Sequence, residues 1–555
     1  MHRVSKGRGG TGGPGRGPPA RRVRPACGGP PGTAGAAGAA EGAVMGERNG
    51  PGGRRPPDVL VVGAGGAGAA LAARLSEDPA CEVLVLEAGP VPPAFPADLL
   101  DARLVPGARP GHPAVRTFPA RLAPGLPYMA ARGRILGGST TVNGGYFVRA
   151  RRADFDRWSA AGGDAWSYER ALPFMRALET DLDRGAAGPH GDRGPVPVRR
   201  TDLRHPAAAA FRAAAHELGY PDEPDKNAEE APGFGPVPSN TAGGLRVNTG
   251  LAYLLGAASG RPNLTLLGDR PVRSVVVRRG RAAGVAAADG TVFEAGETVL
   301  CAGALSTPHL LHLSGIGPAA DLERVGIPVV GDLPAVGAAL SDHPQIVVEW
   351  TPRRPLGEPS GSWLGGALHL PSSDGPAAGD LEVLQSLVPM AGLVGGKAGV
   401  PGMPLAFLAS VQTPRTSGGL RTVSADPDVP PRIDYGYLET GADRRRMREA
   451  VRATVAVVES GAFGEVCAGP VEPVPVDDDR VLDAWIRARL GTSQHTCGTV
   501  PMGPAVDASG RVRGVRGLRV ADTSVLPTAP LRGPAATAVL IGELAADAVR
   551  RGWGP

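Results

Sequence analysis

Residues Asp58 to Glu87 constrain this chain more than any other stretch. Asp58-Val-Leu-Val-Val-Gly63 is a short β-branched apolar run that ends in the glycine turn Gly63-Ala64-Gly65-Gly66-Ala67-Gly68. Ala67 to Leu75 then carries apolar residues at helical spacing, and Glu82-Val-Leu-Val-Leu-Glu87 reads as a second buried strand. Strand, turn, helix and strand in so short a span make one βαβ unit, the building block of a parallel sheet. Glycines at 63, 65 and 68 let the turn close and let backbone amides approach a pyrophosphate at the helix N-terminus, where the dipole favours anions. Glu87 ends the second strand, where a carboxylate accepts from ribose hydroxyls and argues against a 2′-phosphate. Alone, this motif suits NAD and FAD equally.

With 555 residues the chain has length for two domains or one large composite domain. It has no run of roughly 18 apolar residues, so no membrane-spanning helix is predicted. The net charge of +5 is small for this length. No basic stripe with interleaved aromatics appears, so a nucleic-acid partner is not expected. Residues 1–55 are rich in Gly, Pro, Arg and Ala without apolar periodicity. They bury too little to offset their ordering entropy and are expected to be disordered. They lack the apolar core of a secretory signal, and Met45 offers a second start just before the first strand. The five cysteines (Cys27, Cys81, Cys301, Cys467, Cys497) are scattered and form no C-x-x-C pair. Neither a metal site nor a disulfide framework is expected, and a cytoplasmic location follows, at most peripheral at the inner face of the membrane.

Downstream, Leu264 to Val277 and Ala283 to Phe293 alternate like antiparallel strands, and Thr298 to Ala302 reads as a buried strand before Gly303. Gln345 to Val411 holds strand-like runs separated by Gly and Pro. Arg444 to Glu459 and Ala535 to Arg551 read as helices. No internal repeat is present.

Further motifs carry chemistry. Gly133-Arg-Ile-Leu-Gly137-Gly138-Ser139-Thr140-Thr-Val142-Asn143-Gly-Gly-Tyr146-Phe147 combines close backbone approach with side-chain donors for a polar ligand. Gly303 to Gly317, Leu333 to Gly337, Asp342-His343-Pro344 and Gly517 to Pro527 follow in order. These segments resemble the signatures of the glucose-methanol-choline (GMC) oxidoreductases, from about Asp58 to Arg551. The resemblance implies a doubly wound α/β FAD-binding domain with a substrate domain built on an antiparallel sheet. The FAD domain is expected from 56–150, 245–344 and 495–555, and the substrate domain from 151–244 and 345–494. It also implies FAD, with Gly137, Gly138, Ser139 and Asn143 near the isoalloxazine or pyrophosphate, Val272 giving backbone contacts to adenine, and Asp522 near the phosphate and ribityl region. Family members with covalent flavin carry a histidine in the segment matching Ser139–Asn143; Val142 occupies that place here, so dissociable FAD is expected.

Ser493-Gln494-His495-Thr496-Cys497-Gly498 is similar to the family's catalytic-histidine segment. Alcohol oxidation sends hydride from carbon to flavin while the hydroxyl loses a proton, and histidine suits that proton because its unperturbed pKa is about 6.5. His495 is the expected base. The other nine histidines read as packing or surface residues, with Asp342-His343-Pro344 structural near the flavin edge. The family normally places a second histidine or asparagine before the last helix; that position falls on Gly533 or Ala535, neither able to move a proton. Arg532 alone is ionisable there, and it stays charged.

A donor that gives up hydride readily fits such a site. Asn143 to Arg149 and Arg532 to Ala538 resemble the mycofactocin-associated subgroup of actinobacteria. This implies oxidation of reduced mycofactocin, with electrons passing to the respiratory chain. The alternatives are a choline or primary-alcohol dehydrogenase or oxidase, and a flavin-binding protein that has lost catalysis. Donor, acceptor (oxygen or another carrier) and oligomeric state are not fixed by these residues.

Overall fold

A central sheet of five parallel strands carries the glycine turn. The computed structural model describes residues 55–397, 402–415 and 418–552. Of the extension expected to be disordered, all but Arg55 lies outside them. The sheet order is Leu264–Leu267, Val83–Leu86, Val59–Val62, Glu297–Leu300 and Leu518–Val520. Val59–Val62 sits in the middle and is buried along its length, as an unbroken apolar run in a parallel sheet requires. Helix Gly66–Leu75 leaves the sheet at the turn, and the C-terminal helix Ala535–Arg551 packs along it. Glu543 on that helix takes Arg74 Nε at 2.7 Å and the Tyr253 hydroxyl at 2.7 Å, tying three segments together.

One expected element divides. Leu264 to Val277 is not one alternating strand: Gly268 to Pro271 interrupts it. Leu264–Leu267 joins the parallel sheet beside Val83–Leu86, while Val272–Arg278 pairs antiparallel with Arg281–Ala287. Proline cannot donate to a ladder, and Asp269 turns the chain with φ +52°.

The second sheet is antiparallel and has seven strands. Its path runs Cys467–Pro470, Pro344–Pro352, Leu405–Val411, Leu381–Ser386, Leu364–Leu370 and Phe234–Pro236, with Gly491–Thr492 pairing onto Pro344–Pro352. Helix Gly441–Glu459 packs on it through an apolar stripe that includes Met447, Ala450, Val451 and Val458. The fold is thus a mixed α/β architecture, with the parallel sheet bearing the glycine turn and a separate antiparallel sheet of seven strands. Among the described residues no helix is long and apolar enough to cross a membrane.

A buried charge knot gathers on a third, small sheet, in which Glu179–Asp181 pairs parallel with Val196–Arg200. His190 bonds Asp181 Oδ2 at 3.0 Å, Glu179 Oε1 at 3.2 Å and Asp225 Oδ2 at 2.7 Å. Glu179, Asp181 and His190 have the spacing of metal ligands, but Arg149 and Arg200 already bind the same carboxylates. The acids are therefore matched by cations from the protein itself. Burial alone would lower the His190 pKa; hydrogen bonds to Asp181, Asp225 and Glu179 outweigh it and push it up to about 10. The knot's contribution to stability is full below the ordinary histidine pKa and is lost as pH rises through about 10. Thermal melts across that window should show a decline in the wild type that is absent from His190→Gln.

Candidate active site

The first glycine motif and the Gly137–Asn143 segment meet at the end of the central sheet. Gly137 N–H donates to the Ala64 carbonyl at 2.9 Å. A Cβ on Gly138 would lie 2.9 Å from the Gly65 Cα, so the two backbones approach this closely because Gly138 lacks a side chain. Gly68 is equally restricted: its Cβ would overlap the Gly63 carbonyl. Ser139 starts the one-turn helix Ser139–Val142, and its Oγ accepts from Gly133 N–H at 3.2 Å. Asn143 follows that turn as its C-cap.

Glu87 closes the far side of the turn. Its carboxylate accepts from Ala64 N–H and Gly89 N–H, each at 2.9 Å, one bond per oxygen. Each oxygen keeps a lone pair for a ligand hydroxyl. Burial pushes the Glu87 pKa up to about 7. The opening amides of helix Gly66–Leu75 point into the same cradle, unpaired within their helix. Bare glycine backbone, free amides and a terminal carboxylate fit the ADP half of a dinucleotide.

The other expected cofactor residues sit differently. Val272 opens its strand just past Gly268–Pro271. Asp522 is buried, and its carboxylate is taken by Gly303 N–H at 2.8 Å, Thr307 Oγ1 at 2.6 Å and Ser524 N–H at 2.9 Å. It fixes the turn after the fourth strand of the central sheet.

His495 stands in a second cluster. Cys497 and Ser341 exchange backbone bonds of 2.8 and 3.0 Å, and Ser493 N–H donates to the His343 carbonyl at 3.0 Å. This ladder sets His343 against His495, with their Nδ1 atoms 2.8 Å apart and their rings edge-to-face at 87°. The buried Asp342 carboxylate holds the loop by accepting from His495 N–H at 2.9 Å, Thr492 Oγ1 at 3.1 Å and Thr496 Oγ1 at 2.6 Å. Gln494 adopts φ +62°, a left-handed conformation disfavoured outside glycine, immediately before the histidine. The reading of His343 as a packing residue thus missed its role as partner of His495; only long-range strand pairing brings them together.

Burial lowers the His495 pKa to about 4, with Glu382 opposing and Arg132 adding to the shift. Burial, then the neighbouring His495, lowers His343 to about 3. Both rings are neutral at ordinary pH. Two facing Nδ1 atoms then require one donor and one acceptor.

Gly533 lies against His495. A Cβ there would come within 2.9 Å of Tyr146 Cδ1 and 3.1 Å of His495 Cε1. Ala535 begins the C-terminal helix instead. Gly533 is therefore the position facing His495, and Tyr146 fills its side-chain space.

The N- and C-terminal profiles of the GMC oxidoreductases match residues 57–345 and 414–542. The chain belongs to the GMC oxidoreductase family. A GMC-type oxidoreductase of Rhodococcus erythropolis is 38% identical over 505 residues, covering 88% of this chain and 97% of that protein. An oxygen-dependent choline dehydrogenase of Photobacterium profundum is 31% identical, covering 89% and 92%. The pyridoxine 4-oxidase of Mesorbium loti superposes with a TM-score of 0.83 at 28% identity, covering 89% of this chain and 99% of that one. The cofactor of this oxidoreductase is FAD, and its donors carry a CH–OH group.

Replacing Glu87 with Ala should weaken FAD binding about tenfold, the worth of a charge-assisted hydrogen bond, read by flavin fluorescence titration. Gly533→Ala should keep FAD yet lose turnover, because its methyl group displaces Tyr146 or His495.

Proposed function

We propose that His495 Nε2 takes the hydroxyl proton of the donor, and that His343 fixes the tautomer that makes this possible. The bond between the two Nδ1 atoms carries the reading. With His495 Nδ1–H donating to His343 Nδ1, the remaining lone pair of His495 is on Nε2. His343 then carries its own proton on Nε2, alongside the Pro530 carbonyl. The reverse assignment leaves His495 protonated on Nε2 and without a free base. Asp342, through the His495 backbone, holds the ring at this angle. Bound FAD supplies the hydride acceptor. When the proton arrives, His495 becomes a cation on Nε2 and Nδ1 while His343, kept neutral by burial, still accepts.

In this reading the FAD domain is drawn from 56–150, 245–344 and 495–555, and the substrate domain from 151–244 and 345–494. Every strand of the parallel sheet comes from the first set. Gly63, Gly65, Gly68 and Glu87 hold the ADP half. Gly137, Gly138, Ser139 and Asn143 lie against the pyrophosphate and ring, Val272 against adenine, and Asp522 positions the phosphate-side turn. Val142 offers no histidine for a covalent link, so the FAD dissociates.

Two donors compete, each on one observation. Gly533 gives no second proton-moving side chain, which favours a readily oxidised carrier, reduced mycofactocin, with electrons passing to the respiratory chain through peripheral contact. The relatives named as choline dehydrogenases favour choline or another primary alcohol. Mixing FAD-loaded enzyme with each donor without oxygen separates them: bleaching by choline alone removes the mycofactocin reading.

His495→Ala should cut the rate of flavin reduction about 10²- to 10⁴-fold with FAD retained. No loss would support a flavin-binding protein without catalysis. Since burial holds His495 near pKa 4, kcat/KM should be flat at neutral pH and fall only as pH drops through about 4 and the base protonates.

A further inference from the structure

His495 sits on a bulge. Ser493 N–H reaches the His343 carbonyl at 3.0 Å, and Cys497 exchanges bonds with Ser341 at 2.8 and 3.0 Å, so Gln494, His495 and Thr496 stand opposite Asp342 alone. Extra residues on one strand lose their ladder bonds, and the bulge re-aims a side chain. Gln494 takes a left-handed φ of +62°, which a residue with a Cβ keeps only where its surroundings hold it. Asp342 supplies one hold, through His495 N–H at 2.9 Å and the Thr496 hydroxyl at 2.6 Å. It does not reach the Gln494 side chain.

A second hold comes from Arg132. It is the last side chain of strand Leu126–Gly133, which pairs antiparallel with Val115–Ala123. Its Nη1 donates to Gln494 Oε1 at 3.2 Å and its Nη2 to Thr496 Oγ1 at 2.5 Å. One guanidinium thus grips the residue before His495 and the residue after it. Nη1 also donates to the Ala131 carbonyl at 2.6 Å, which ties the fork to its own strand. Thr496 Oγ1 gives its proton to Asp342 Oδ2, so Tyr435 Oη, 3.2 Å away, donates to it. The two holds therefore meet at one hydroxyl. A planar guanidinium has donors in fixed directions and can fix two acceptors at once; an ammonium on a flexible stem cannot.

We propose that Arg132 is a positioning residue for the oxidation step: by gripping Gln494 and Thr496 it fixes the angle at which the His495 ring meets His343. Its importance for turnover rests on the reading of His495 as the base. Without the fork, Gln494 relaxes out of the left-handed region and the ring turns away from His343 Nδ1. Both tautomers of His495 are then populated, and only one of them leaves Nε2 free.

The test reads the tautomer directly, by NMR of isotope-labelled histidines in the FAD-loaded full chain, with the His495 signals assigned by their loss in His495→Ala. Wild type should show one His495 tautomer in excess by about tenfold or more, the worth of one hydrogen bond. Arg132→Met should bring the two tautomers to within about threefold of each other, and Arg132→Lys, which keeps one contact, should fall between. Flavin reduction by choline and by 1-propanol, followed by stopped flow, should lose kcat in the same order with KM little changed. The NMR reading needs no donor and decides where neither alcohol reduces the flavin. A second pair of variants leaves Arg132 in place. Gln494→Ala removes the gripped oxygen but keeps the strain, and should mix the tautomers; Gln494→Gly removes the strain as well, and should stay nearer to wild type. If Arg132→Met does not load FAD, this pair decides alone. Mixed tautomers already in wild type, a single tautomer that survives Arg132→Met, or equal mixing in the two Gln494 variants overturns the proposal. The two readings fail differently: a wild-type His495 with its proton on Nε2 removes the base assignment, while the hold of Arg132 on the ring is still read from the variants.

Discussion

The backbone ladder between Ser341–Gln345 and Gly491–Cys497, clamped by the Asp342 carboxylate, is the interaction on which the reactive part of this molecule depends. It joins a strand of the antiparallel sheet to a loop that enters the last strand of the parallel sheet. One buried carboxylate accepts four bonds, from His343 N–H, His495 N–H, Thr492 and Thr496. A carboxylate so satisfied costs little to bury and fixes several backbone directions at once. Without it, two imidazoles would have no reason to meet through the same nitrogen atom.

The cofactor end follows a different logic. There the backbone does the work, and side chains are mostly excluded. Gly138 against the Gly65 Cα, and Gly68 against the Gly63 carbonyl, are contacts that a Cβ on Gly138 or on Gly68 would prevent. Glu87 is the polar exception, and it is anchored at both oxygens by the turn it serves. The GMC family therefore reads clearly at this end, because geometry leaves few residue choices.

Local physics explains which parts were legible in the sequence. The βαβ unit and the helix Ala535–Arg551 are set by short-range periodicity, and the structure shows both where expected. The run from Leu264 was harder, since Leu264–Leu267 and Val272–Arg278 are equally apolar and only Gly268–Pro271 divides them. The partner of His495 could not be read at all: His343 lies 152 positions away and meets it through strand register. Tyr146 was visible only as part of a glycine-rich motif. Its meaning depends on the empty position at Gly533, which no spacing rule connects to it. The knot around His190 was likewise hidden, because its acids and arginines come from separate strands and loops.

The nitrogen-to-nitrogen contact also gives the site a direction. In the proposed mechanism, His495 meets a neutral, deeply buried neighbour at Nδ1 and the donor at Nε2. A proton gained at Nε2 cannot be handed on through the ring without charging His343, whose burial resists it. The imidazole is a cul-de-sac, and whatever it collects leaves by the mouth through which it came. Under the proposed assignment of His495 as base, its deprotonation is then tied to access from the donor's side, so the departure of product and the recovery of the catalyst are coupled.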